Sequence, residues 1–228
     1  MNEDKRAYLA EMIGTFGLCF IGAGAICTNA YTNGAVGLLG IAVAHGLVLS
    51  MMVTVTGYIS GGHHNPAVTF AMMITKNISL RKGIGYIISQ LVGASIAGFA
   101  LRAVFAPQYW SAVHLGTPAL NDGVPFVNGV LIEAILTFFL VFVVFGVAVD
   151  SRRPKYLYGF AIGLTICFDI LMGGPLTGAS MNPARTFGPG LAAGYFENHL
   201  VYWIGPLLGA AVAGLVFQHL LMQKKNSN

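Results

Sequence analysis

Six apolar runs, each long enough to cross a bilayer as a helix, constrain this chain more than any other feature. They fall at about 7–29, 36–57, 82–104, 127–149, 157–174 and 199–222, and a spanning helix needs roughly 20 residues. In hydrocarbon every backbone N–H and C=O must find a partner inside the protein, which a helix does within one segment. Composition agrees. Hydrophobic residues make up 56% of the chain, charged residues 9%, and mean hydropathy is +0.72, where a soluble domain carries about 25% charged residues. These values exclude a water-soluble globule, a disordered chain and a nucleic-acid binder. The 30 glycines suit closely packed membrane helices. The three cysteines all lie in apolar runs, which argues against a disulfide framework. The first run follows Met1-Asn2-Glu3-Asp4-Lys5-Arg6 without a short apolar core and cleavage site, and reads as a retained helix.

The basic residues set a topology. Lys5 and Arg6 precede the first span, Lys76, Arg81 and Lys82 join spans two and three, Arg152, Arg153 and Lys155 join four and five, and Lys224 and Lys225 follow the sixth. In a six-span chain all of these fall on one side, and the positive-inside rule makes that side, with both termini, cytoplasmic. The net charge of +4 therefore serves orientation in the lipid bilayer; the cell membrane is the expected location.

The two halves of the chain repeat each other. Ala10-Glu11 with Thr15-Phe16 returns as Ile132-Glu133 with Thr137-Phe138. His64-Asn65-Pro66-Ala67-Val68-Thr69-Phe70 returns as Met181-Asn182-Pro183-Ala184-Arg185-Thr186-Phe187, and Gln90-Leu91-Val92-Gly93-Ala94 as Pro206-Leu207-Leu208-Gly209-Ala210. Three spans per half turn the second half upside down, so the chain reads as one transmembrane domain over 1–228 built of inverted repeats at about 7–105 and 127–222, with a site at the midplane between them. The apolar segments 65–75 and 182–192 are too short to cross. Each follows a Gly-containing stretch and opens on Asn-Pro, an N-cap followed by a first-turn proline. Both read as half-helices starting inside the membrane, where irregular backbone survives only if it lines a cavity or is buried in protein.

Paired Asn65-Pro66-Ala67 and Asn182-Pro183-Ala184 in an inverted repeat resemble the motifs of the aquaporin (major intrinsic protein) family, over roughly 7–222. The resemblance implies an all-α membrane fold, six transmembrane helices plus two re-entrant half-helices in a right-handed bundle. It implies a passive, proton- and ion-excluding channel for water and small neutral solutes, assembled as a homotetramer, with no cofactor, no metal and no catalytic residue. The two Asn residues would offer amide donors to a central water. Arg185 would line an outer constriction with His45, Ile170 and Ala179, a set similar to tonoplast-type filters, with Arg185 and His45 supplying donors. Gly61, Gly62 and His63, with Gly178, Ala179 and Ser180, would present backbone carbonyls to the pore. Glu11 and Glu133 would brace the half-helices. Thr186 after Arg185, and Tyr202-Trp203 opening the last span, favour the water branch over the glycerol branch.

Other readings stay open. An ammonia or hydrogen peroxide facilitator fits the wider tonoplast-like filter. A secondary transporter also uses inverted repeats, but the midplane motifs carry neutral Asn and no carboxylate. No metalloprotease or nucleophile-elbow motif supports an enzyme. His64 departs from the family pattern, with pH sensing as one reading of it, Asp169 is read as pairing with a vestibule donor or with Arg102, and Ser151 beside Arg152 and Arg153 is read as a phosphorylation point.

Overall fold

The computed structural model describes residues 2–152 and 157–222; the basic residues Arg153, Lys155, Lys224 and Lys225 lie outside them. Helices α1 (Glu3–Tyr31), α2 (Gly37–Ser60), α3 (Pro66–Ile74), α4 (Leu80–Val104), α5 (Pro107–Trp110), α6 (Phe126–Val144), α7 (Tyr158–Thr177), α8 (Pro183–Ala193) and α9 (Val201–Val216) follow in order. α6 and α9 are each extended by a five-residue π-turn, Phe145–Val149 and Phe217–Leu221. Among the described residues six helices are long and apolar enough to cross a membrane, and they coincide with the six apolar runs. α3 and α8, of 9 and 11 residues, reach only about 14 and 17 Å at about 1.5 Å per residue, half of a hydrocarbon core of about 30 Å.

The two halves interlock. α1 packs on α2 and α4, and α6 packs in the same way on α7 and α9. α2 meets α7 across the middle, while α8 lies against α4 and α3 against α9, so each half-helix is also gripped by the opposite half. Glycine permits these approaches. A Cβ on Gly46 would lie 2.4 Å from Gly163 O, and one on Gly163 would lie 2.2 Å from Gly46 O. Gly93 similarly meets Met12 O and Gly209 meets Ala134 O, equivalent contacts in the two repeats.

The exterior is apolar, unlike that of a soluble protein, and several charged and polar groups are buried among the apolar core residues. Met51, Ile88, Val127 and Phe168 are among the large apolar residues exposed on the outside, whereas Glu11, Gln90, Glu133, Asn182 and Arg185 are buried. That distribution suits a molecule whose surroundings are hydrocarbon and whose polar groups turn inward. The described basic residues of the N-terminus and of the connections 75–82 and 150–152 gather at one end of the bundle, whereas Arg102 lies in the last turn of α4 and Arg185 is buried. Lys82 Nζ lies 3.7 Å from Asp4 Oδ1, Asn77 donates to Gln218 Oε1 at 3.0 Å, and Arg152 Nη2 donates to Leu221 O at 3.4 Å.

Candidate functional site

The half-helices begin where the local sequence directs. Asn65 and Asn182 are extended, each followed by a proline at the first helical position. Asn65 Oδ1 accepts from Ala67 N at 2.8 Å, and Asn182 Oδ1 from Ala184 N at 3.0 Å and Arg185 N at 3.2 Å. The amide ends then cross between halves: Asn65 Nδ2 donates to Met181 O at 2.8 Å, and Asn182 Nδ2 to His64 O at 2.9 Å. A carboxamide has two N–H groups; one of each is committed to the opposite half and one remains.

The backbone leading into each Asn repeats the same conformation. Gly61, Gly62 and His64 have φ of 92°, 65° and 47°; Gly178, Ala179 and Met181 have 79°, 44° and 53°. Three left-handed residues in four leave no regular hydrogen-bond ladder, and side chains are tolerated there only under tertiary constraint. Gly61, Gly62, His63, Ala179 and Ser180 line one narrow cavity with both Asn residues, and Gly178 lines the wider vestibule beyond it. Among the described residues no donor of the chain reaches the carbonyl oxygens of these six residues.

Two buried carboxylates hold this backbone. Glu11 Oε1 accepts from Ser60 Oγ at 2.6 Å and His63 N at 2.9 Å, and Oε2 from His64 N at 2.6 Å and Gln90 Nε2 at 2.8 Å. Glu133 Oε1 accepts from Thr177 Oγ1 at 2.7 Å and Ser180 N at 2.9 Å, and Oε2 from Met181 N at 2.7 Å. Tyr86 and Tyr202 complete the symmetry, donating to Ser60 O and Thr177 O at 2.7 and 2.8 Å. Ser60, Thr177 and Tyr86 were not singled out from sequence, Gln90 was read only as part of the repeat and Tyr202 only as a mark of the water branch; Ser60 and Thr177 stand at equivalent places of the repeat, which is the signal that could have found them.

The narrow cavity and the vestibule share His45, Ile170 and Arg185. Ala179 lines the cavity just inside that junction. Arg185 Nη1 donates to Gly116 O at 2.7 Å, and Nη2 lies 3.2 Å from His45 Nε2. His45 Nδ1 lies 2.8 Å from Ile41 O, an acceptor, so Nδ1 carries the proton and Nε2 accepts from the guanidinium. His45 is therefore a support for Arg185, not the second donor expected from sequence. Gly22 makes room for the ring, since a Cβ there would lie 2.4 Å from His45 Cδ2. Gly116 was missed by sequence reasoning because nothing local marks a carbonyl that acts 69 residues away.

Arg102 does not pair with Asp169. Its Nη1 donates to Ala192 O at 2.7 Å, and the guanidinium sits 5.3 Å from the Trp110 ring centroid. Asp169 is buried and its Oδ2 has no hydrogen-bond partner.

The model of the major intrinsic protein family matches residues 1–217. The chain belongs to that family. It is similar to aquaporin TIP4-4 of Zea mays, 44% identical over 223 residues, covering 95% of this chain and 87% of the relative. It is also similar to aquaporin TIP2-1 of Arabidopsis thaliana, 42% identical over 224 residues, covering 95% and 88%. In fold it is similar to the aquaglyceroporin from Plasmodium falciparum, with a TM-score of 0.82 over 95% of this chain and 96% of that one at 23% identity. Members of this family are channels, not enzymes, and the chain is an integral multi-pass membrane protein of that fold.

Proposed function

We propose that the chain is a passive water channel that also admits small neutral solutes and excludes protons and ions, as a single channel domain formed by its two inverted repeats. The observation that supports this most is the run of carbonyls at residues 61–63 and 178–180 that no donor among the described residues satisfies. A backbone acceptor inside a membrane needs a partner, and water moving in single file supplies hydrogens to such a row. At the middle, the remaining N–H of Asn65 and of Asn182 would hold a water oxygen. Its hydrogens then point away toward the two carbonyl rows, so it cannot accept a proton on one side and release it on the other. The N-termini of α3 and α8 each add roughly half a positive charge, which with Arg185 opposes cations. Ile170 leaves one wall of the junction apolar and Ala179 is small, which suits uncharged solutes near water's size.

Both termini face the cytoplasm in this reading, since Lys82, Arg152 and the other described basic residues of the termini and their neighbouring connections gather at one end of the bundle. The similarity to relatives bearing the TIP name, together with the filter's resemblance to tonoplast-type aquaporins, favours an internal membrane over the cell membrane expected from sequence. The apolar outer faces suit a homotetramer with one pore per subunit, which cross-linking in bilayers would read as a four-subunit band.

Stopped-flow light scattering on proteoliposomes tests the function. Fast shrinkage in an impermeant osmotic step, with low activation energy and no dissipation of an imposed proton gradient, is expected. Slow osmotic shrinkage beside rapid ammonia or hydrogen peroxide entry would replace the water channel by a facilitator of those solutes.

A further inference from the structure

His64 has no counterpart in the second repeat, where Met181 stands at the equivalent place. Its side chain is fully buried in a space that Gly14 leaves open; a Cβ at Gly14 would lie 2.0 Å from His64 Cε1. Its Nε2 lies 2.8 Å from Thr56 Oγ1. That hydroxyl donates its one proton to Met52 O at 2.6 Å, so toward the ring it accepts, and Nε2 carries a hydrogen. Nδ1 has no hydrogen-bond partner and lies 3.6 Å from Glu11 Oε2. In a neutral ring, a lone pair would face a carboxylate in a buried site, with nothing to satisfy it. A proton on Nδ1 turns that opposition into an ion pair.

We propose that His64 is a positioning residue of the pore, held as an imidazolium between Thr56 and Glu11, and that this charge fixes the left-handed backbone whose carbonyl holds Asn182. The chain of contacts is short: Glu11 Oε2 also accepts from His64 N at 2.6 Å, φ of His64 is 47°, and His64 O receives Asn182 Nδ2. The surrounding groups leave Glu11 as the partner of Nδ1. α1 contributes Glu11, and farther off Asp4, which pairs with Lys82. α2 contributes Thr56 and Ser60, both neutral. α4 contributes Gln90 on Glu11 Oε2, with Tyr86 and Lys82 nearer to His63, whose own Nδ1 lies 3.1 Å from Thr69 Oγ1. The second half contributes the neutral Asn182. Without that proton a lone pair would face Glu11, and the hold on Asn182 would weaken.

The inference rests on the proposed role of Asn182 in water passage, and two readouts separate them. Solid-state NMR of 15N-histidine protein in bilayers, with His64 assigned by its through-space contacts to Gly14 and Thr56, is expected to show both ring nitrogens protonated near neutral pH. An unprotonated Nδ1 would overturn the ion pair whatever the fluxes are. Osmotic water permeability of the His64→Met variant, which copies the second repeat, is expected to fall severalfold below that of the wild type. Unchanged permeability in a folded His64→Met protein would overturn the positioning role. No water flux through the wild type would sink the water-channel reading instead, while the nitrogen shifts would still decide the ion pair.

Discussion

Arg185 carries more of the site's geometry than any other side chain. It holds the carbonyl of Gly116 and the ring of His45 at once, and its Nε has no hydrogen-bond partner among the described residues. Replacing it by Val removes the charge and these donors while keeping the helix start, whose cap depends on Asn182. Urea or glycerol entry into proteoliposomes should rise about tenfold, equivalent to about 1.4 kcal/mol of barrier, with water flux retained; unchanged solute exclusion would move the filter elsewhere. Glu11 differs in kind, because it touches loop backbone and no free acceptor of the cavity. Glu11→Gln places an amide N–H₂ among four donors, and an unsatisfied buried group costs about 1–3 kcal/mol. The variant should lose thermal stability in detergent by several degrees, measured by size-exclusion after heating. At this scale the sequence was informative about which residues matter and less so about their bonds. The Asn caps follow from local rules, whereas the tautomer of His45 depends on Ile41 O and Arg185 together.

Among elements, the boundaries reveal which local signals yield to packing. Gly173-Gly174-Pro175 reads as a stop, yet α7 continues to Thr177 with Pro175 inside it. The last turn persists because Thr177 Oγ1 is needed by Glu133 at 2.7 Å and Tyr202 holds its carbonyl. α2 likewise runs past 57 to Ser60, which serves Glu11 in the same way. The α2–α7 crossing is set by Gly46 and Gly163, whose backbones touch. Gly163→Ala should push these helices apart. An overpacking cost of about 1–3 kcal/mol would appear as a lower melting temperature, accompanied by altered water flux because Ile162, Ile166 and Ile170 of the same helix line the cavity. An unshifted melting temperature would mean the crossing relaxes freely.

For the whole molecule, the site exists only because two half-helices from distant parts of the chain meet. The bonds joining them span 116 and 118 residues, and each half-helix is packed against a helix of the other repeat. Expressing residues of one half alone should therefore yield no osmotic conductance, and mixing both halves should restore it in proteoliposomes. Conductance from a single half would refute the shared-site architecture.

Sequence alone determined the number of spans, the two half-helices and the repeat, because the bilayer imposes a length and a polarity on every segment and a capped helix start is a local event. Which carbonyl each Asn amide reaches, how Arg185 and His45 divide their donors, and why Gly116, Gln90 and Thr56 belong to the site were decided by tertiary structure. Those bonds join groups far apart in the chain, and no local preference selects among the partners that folding brings within reach.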